Sequence, residues 1–263
     1  MADMISVLIF GDIIGQPGCR ALFSGLKAII KKYDADFVIA NGENAASGFG
    51  LTPDIAEQIF AAGVDVITSG NHIWQKKEIY SFLESSSYLL RPANYPDGAP
   101  GKGSCTLEKK GFTLSVINLQ GRARMYDIDS PFAVGLSLGR KMDQKSDCTI
   151  VDFHAEDTME KEALAQYLDG TVQAVLGTHT HVETADERIL PGGTAFITDI
   201  GMTGPIGSVI GVDPEISIRR SLTQMPIKMD VIDQPAIMRG VKLDVERDGA
   251  VKRIQRIKEY SIL

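Results

Sequence analysis

Short apolar runs alternate with helical patterns from Ile5 to Thr198, and that alternation restricts the fold more than any other feature. Ile5–Phe10 (ISVLIF) reads as a buried strand, and Ala21–Lys32 as a helix with apolar residues at helical spacing. Asp36–Ala40 is a second strand. Thr52-Pro53 opens a helix, threonine at the cap and proline in the first turn, running to about Ala62. Val64–Thr68 is a third strand, followed by a helix through Lys76–Leu83. After a Pro/Gly-rich connection over Arg91–Gly103, Cys105–Glu108 and Phe112–Leu119 read as a hairpin around Lys109–Gly111. Asp147–Phe153 and Val172–Leu176 are strands flanking a helix at Met159–Leu168, and Thr194–Thr198 follows a Pro-Gly-Gly turn. From Ile227 to Ile257 the chain reads as strands with a turn at Arg247–Gly249.

Strands alternating with helices give parallel βαβ units, and the hairpins add antiparallel strands. The expected class is α/β, with two mixed β-sheets packed face to face and helices outside; a single doubly wound sheet is the alternative. The 263 residues fit one large domain or two small ones. No repeat or long linker demands a second, so one domain over 1–263 is expected.

At 44% hydrophobic residues there is ample material for a core. A net charge of -7 argues against a broad basic nucleic-acid footprint, although bound cations would supply positive charge locally to a nucleotide substrate. Cys19, Cys105 and Cys148 lie far apart with no CxxC pair, which points to reduced thiols in the cytoplasm. The start, MADMISVLIFGD, lacks the basic opening and long apolar stretch of a signal peptide. No apolar run approaches the roughly 20 residues that span a bilayer, so no membrane is expected.

The informative residues follow the strands. Gly11-Asp12 follows ISVLIF, Asn41-Gly42-Glu43-Asn44 follows DFVIA, and Gly70-Asn71-His72 follows VDVITS. His154-Ala155-Glu156 follows CTIVDF, and Gly177-Thr178-His179-Thr180-His181 follows QAVL. In α/β sheets ligands bind at the carboxyl ends of strands, so these five loops converge on one crevice. Carboxylate, amide oxygen and imidazole are the donors a metal site needs. The chain holds only four histidines, and all of them lie in these loops. In extended chain, positions i and i+2 share a face, so His179 and His181 can address one centre. Taken singly, each loop has an ordinary explanation as a turn, a solvated loop or a helix cap. Five together at strand ends do not.

In this order, the motifs GDIIGQPG, NGENAASGFG, SGNHIW, DFHAE, GTHTHV and TDIGMTGP resemble the calcineurin-like metallophosphoesterases, and within them the YmdB-like bacterial phosphodiesterases. The resemblance covers nearly the whole chain. Asp12-Ile13-Ile14 lacks the histidine of the superfamily's usual Asp-x-His, and Glu43 stands where a Gly-Asp carboxylate usually bridges. Both departures are shared with the YmdB-like group.

The resemblance implies the calcineurin-like fold, a four-layer αββα sandwich. It implies that Asp12, Glu43, Asn44 and His181 hold one metal ion, and that Glu43 bridges to a second held with Asn71, His154 and His179. His72 matches the catalytic histidine. The implied reaction is hydrolysis of small phosphodiesters, such as 2′,3′-cyclic nucleotides, by a hydroxide held between two ions. Mixed imidazole and oxygen ligands suit transition metals, iron first, or manganese or zinc.

Several readings stay open beside this one. A phosphomonoesterase or protein phosphatase would use the same site, and a metal-bound regulatory protein would catalyse little. RNA is a further candidate substrate, and a homo-oligomer is expected; the 120–140 stretch and Ile206–Ile218 could make its contacts or be core. Arg122 and Arg124 could clamp phosphate or sit solvated. Asp199 could orient a ligand histidine or be a turn residue. Trp74 could stack on a base or be core, and Phe49 is a candidate lid residue.

Overall fold

The computed structural model describes residues 4–261. Met1–Asp3, read above as part of the N-terminal segment, and the last two positions of the 1–263 span lie outside the described residues. The chain forms β1 (Ile5–Phe10), β2 (Asp12–Ile13), α1 (Gly15–Tyr33), β3 (Phe37–Asn41), α2 (Pro53–Ala62), β4 (Val66–Thr68), a 3-10 turn (Asn71–Gln75) and α3 (Ile79–Ser85). There follow β5 (Ser104–Lys109), β6 (Phe112–Gln120), α4 (Pro131–Asp143), β7 (Cys148–His154), α5 (Thr158–Tyr167) and β8 (Ala174–Thr178). The last third holds β9 (Arg188–Ile189), β10 (Ala195–Ile197), β11 (Met202–Pro205), α6 (Pro214–Thr223), β12 (Ala236–Val245) and β13 (Val251–Tyr260).

Two mixed sheets result. The first runs β2-β11-β12-β1-β3-β4, with β13 paired to β12; the second runs β5-β6-β7-β8-β10-β9. Parallel pairing of β1, β3 and β4, and of β6, β7, β8 and β10, follows from the crossovers between them. The expected hairpins supply antiparallel pairs, β5 with β6 and β12 with β13.

The period of two in each strand decides the layering. Ile5, Val7 and Ile9 of β1 pack with Val116, Ile150 and Leu176, so one face of each sheet is buried against the other. The intervening Leu8 and Phe10 pack with Leu22 and Leu26 of α1 and Ile59 of α2. On the second sheet, Leu119, Val151 and Phe153 pack with Leu164 and Ala165 of α5 and with Phe132 and Leu136 of α4. The layers are therefore helix, sheet, sheet, helix. The alternative of one doubly wound sheet is excluded.

Local boundaries differ from the sequence reading where turn-like residues begin a helix. α1 starts at Gly15 rather than Ala21, because Pro17 needs no N–H partner in the first turn. Thr52 caps α2 as expected, its hydroxyl accepting from the Ile55 N–H at 3.4 Å. The helix expected over Lys76–Leu83 starts later, as α3 from Ile79, and a 3-10 turn over Asn71–Gln75 precedes it. Residues 227–235 carry no strand; β12 begins at Ala236. Among the described residues, no helix is long and apolar enough to cross a membrane.

Candidate metal centre

The five strand-end loops do converge, but across two sheets. Asp12 follows β1, Glu43 and Asn44 follow β3, and Asn71 and His72 follow β4 of the first sheet. His154 ends β7, and His179 and His181 follow β8 of the second. Because the sheets pack face to face, their carboxyl edges meet at one rim, and the loops meet there.

Glu43, His154 and His179 each present one ligand atom within 4.8 Å of the others. Glu43 Oε1 lies 3.0 Å from His154 Nε2, which lies 2.9 Å from His179 Nδ1. Beside them, His181 Nε2 lies 3.3 Å from Asn44 Nδ2 and 3.9 Å from Asp12 Oδ1. His72 stands at the edge: its Nδ1–H donates to Asn44 Oδ1 at 2.7 Å, and its backbone N–H to Glu43 Oε2 at 3.1 Å. Asn71 occupies the same turn, between Gly70 and His72. The eight expected site residues are thus brought to one rim.

The close approach needs Gly70. A Cβ there would lie 2.3 Å from His154 Nε2 and 2.4 Å from Glu43 Oε2, so any other residue would intrude on the ligand atoms themselves.

Each ring is oriented from behind. The His181 Nδ1–H donates to the Ile210 carbonyl at 3.0 Å, which leaves Nε2 facing the centre with its lone pair. The His154 Nδ1–H donates to Thr178 Oγ1 at 3.0 Å, and Thr178 donates onward to Asp152 Oδ1 at 2.7 Å. His179 Nε2 lies 3.2 Å from Glu156, which leaves Nδ1 toward the centre. Asp152 is a contributor that sequence reasoning missed, and Glu156, noted in its strand-end loop, was given no role there.

The His-Thr-His loop is not the extended chain the sequence suggested. β8 ends at Thr178, and His179 and His181 take φ values of 100° and 63°, a region that side chains other than glycine rarely occupy. The two histidines share a centre through this strained turn rather than through strand alternation. Asp199 holds it: its Oδ2 accepts from the Thr180 N–H at 3.1 Å, the Thr180 hydroxyl at 2.8 Å and the Lys161 ammonium at 2.8 Å. Asp199 therefore grips the threonine between the histidines and orients neither ring directly. Lys161, only 1% exposed, was not foreseen at all.

Charge here is dense and buried. Burial pushes the Asp12 carboxyl above its ordinary range, against the pull of His154 and His181. At Glu43 burial also opposes charge, but His154 and His72 hold the carboxyl well below its ordinary value. His154 resists its own burial and is raised to about 9 by Glu43, Asp12 and Asp152. Burial, with His154 beside it, takes His179 down to about 3. The carboxylates around His154 favour a positive charge here, and a metal cation would supply one.

The donor set fits such a cation on a second count. Asp12 Oδ1 and Asn71 Oδ1 are buried with no hydrogen-bond partner. Buried oxygen acceptors without partners are costly, and both sit in the loops that form the cluster.

A cleft of about 290 Å³ opens over the centre. Asn44, His72, His179 and His181 form its floor, and Phe49, Ile210, Met229 and Val231 stand among its walls. Arg122 and Arg124 do not line it: Arg122 reaches the Ile128 carbonyl at 3.5 Å and Arg124 reaches Asp157 at 3.7 Å, both exposed. Trp74 packs against Tyr80 and Tyr95 beside the first core, so it is the core aromatic rather than a base platform. Phe49 borders the cleft, its ring 5.0 Å from that of His72.

The chain is similar to known proteins over nearly its whole length. The profile of the YmdB-like protein family matches residues 8–257. The chain belongs to the YmdB-like family. A 2′,3′-cyclic-nucleotide 2′-phosphodiesterase of Bacillus subtilis (strain 168) is 44% identical over 256 residues, covering 97% of this chain and 96% of that protein. Among solved structures of similar proteins, a phosphatase from Mycoplasma pneumoniae superposes with a TM-score of 0.92 at 36% identity, over 99% of this chain and 95% of that one. A hypothetical protein from Thermus thermophilus gives the same TM-score at 42% identity, over 98% and 100%. The YmdB-like fold is thus the αββα sandwich described above.

Proposed function

We propose that this YmdB-like chain is a dinuclear metal-dependent phosphodiesterase acting on small phosphodiesters such as 2′,3′-cyclic nucleotides. The observation that carries the reading is the donor cluster at the two sheet edges, with two partnerless buried oxygens in the loops that form it. Glu43, Asn71, His154 and His179 would hold one ion; Asp12, Asn44 and His181 would hold the other, with Glu43 shared. Iron, manganese or zinc suits this mixture of imidazole and oxygen. When bound, two such ions would neutralise a phosphate and lower the pKa of a water between them.

The remaining work falls to the chain. Asn71 gives a neutral oxygen donor, so it adds coordination without cancelling more positive charge. Asp152, through Thr178, keeps the His154 ring turned toward Glu43. His72 commits Nδ1–H to Asn44, which leaves Nε2 to exchange a proton with the leaving oxygen. In a 2′,3′-cyclic substrate that oxygen belongs to the ribose.

The cleft lining favours diesters over monoesters. It contains no Lys or Arg, and its one carboxylate is Glu156. A singly charged diester meets less repulsion there than a doubly charged monoester, which supports this reading over a phosphomonoesterase. Three buried free thiols are in keeping with a reducing compartment, the cytoplasm.

Hydrolysis of 2′,3′-cyclic AMP, and of bis- against mono-p-nitrophenyl phosphate, tests the proposal. The wild type should cleave both diesters and prefer bis- to mono-. His72→Ala should lower kcat by about 10²–10⁴-fold, the usual contribution of a positioned acid or base, with bound metal retained. A preference for the monoester would turn the reading to a phosphomonoesterase. An unchanged kcat in His72→Ala would remove that residue's role.

A further inference from the structure

The cleft has walls that the hydrolysis chemistry does not use. We propose that it is a nucleobase subsite, taking the planar base of a nucleoside cyclic phosphodiester against its apolar lining. This rests on the phosphodiesterase reading above and goes further, to what the ester's other end must be.

The apolar lining comes from two segments of the chain. Phe49 stands on the loop after β3, 39% exposed, with its ring edge-on to His72. Ile210, Val212, Met229 and Val231 stand on residues 206–235, the excursion between β11 and β12. Ile210 is 45% exposed, an isoleucine left open beside a polar centre. Its own carbonyl accepts from His181, so this wall is fixed directly to a residue of the centre.

A slot with apolar sides and a polar floor suits a flat apolar group joined to an anion. At about 290 Å³ it lies near the lower end of small-ligand clefts, which start at roughly 300 Å³, and so holds one nucleoside-scale group.

The same walls predict indifference to which base is bound. Reading a base edge requires free donors and acceptors, and those of Gly211 and Val212 are already engaged. The Gly211 N–H donates to Ser208 Oγ at 3.0 Å, and the Gly211 carbonyl accepts from Ile232 at 3.2 Å. Val212 exchanges both backbone hydrogen bonds with Val209, at 2.9 and 3.0 Å. What these residues offer is contact with a π-face, which every base has.

The test compares kcat/KM of the metal-loaded enzyme on 2′,3′-cyclic AMP, 2′,3′-cyclic CMP and glycerol 1,2-cyclic phosphate, which keeps the cyclic diester and lacks the base. Wild type should prefer both nucleotides to the glycerol ester by about tenfold or more, and treat the two nucleotides alike to within about fivefold, as sequence-tolerant stacking does. Met229→Ala should raise KM for the nucleotides several-fold and leave the glycerol ester unchanged. Equal kcat/KM on all three substrates overturns the subsite alone, as does a Met229→Ala defect that is equal with and without a base. Hydrolysis of none of the three overturns the phosphodiesterase reading and the subsite together.

Discussion

Lys161 shows how much of the centre depends on residues that never face it. Its ammonium is buried against Asp199, whose carboxylate also holds Thr180 in the strained loop. Removing one partner of a buried pair leaves the other charge uncompensated, at a cost of about 3–5 kcal/mol. Lys161→Met should lower unfolding stability in urea by that order and reduce metal retained after dialysis. Loss of stability with full metal retention would make the pair structural only. The cysteines give a second expectation at this scale. Burial pushes the Cys19, Cys105 and Cys148 thiols up to about 12, so the reactive thiolate is nearly absent at neutral pH. The native protein should resist iodoacetamide from about pH 7 to 9, well below those values, and unfolding should release all three thiols; rapid native alkylation would contradict this. At residue scale the histidines, Asp12, Glu43 and the two asparagines were legible, because ligand-type side chains at strand ends are unusual in combination. Lys161 and Asp152 were not, and Glu156 was read only as part of its loop. A lysine in a helix or an aspartate inside a strand carries no mark of the partner that a distant element will bring to it.

Among the elements, the turn after β4 is the tightest point. Gly70 leaves space that His154 and Glu43 occupy, and a Cβ would collide with both. Gly70→Ala should therefore abolish metal binding and hydrolysis while far-ultraviolet circular dichroism stays native; retained metal at wild-type stoichiometry would rule out this collision. Most strands and helices were legible from period and caps. α4 was not, because PFAVGLSLGRKMD carries two glycines that weaken its helical signal. The structure gives them a use: a Cβ at Gly135 would come within 3.0 Å of Leu119, and one at Gly139 within 3.0 Å of Val172, so the helix sits close on its sheet. α6 escaped for a different reason. It buries no residue, so no core-facing stripe announces it. The shape of the His-Thr-His loop was misread as extended, since sequence alone does not reveal a left-handed backbone at two histidines.

At the scale of the whole molecule, the two-sheet architecture explains why the centre can exist. One sheet supplies the carboxylates and amides and the other the imidazoles of His154, His179 and His181, with His72 joining from the first. Neither sheet alone holds all the proposed ligands. Packing the sheets face to face brings both sets to one rim and offsets the cost of burying charge by pairing it there. The central claim is that this rim holds two metal ions, and elemental analysis of the purified chain tests it most directly, alongside Asp12→Asn and His154→Ala. About two transition-metal ions per chain are expected in the wild type, the number a two-metal site requires, and markedly fewer in both variants. Chelator-stripped wild type should regain 2′,3′-cyclic AMP hydrolysis on adding iron, manganese or zinc. A wild type that binds none of these metals, with none restoring hydrolysis, would contradict the claim.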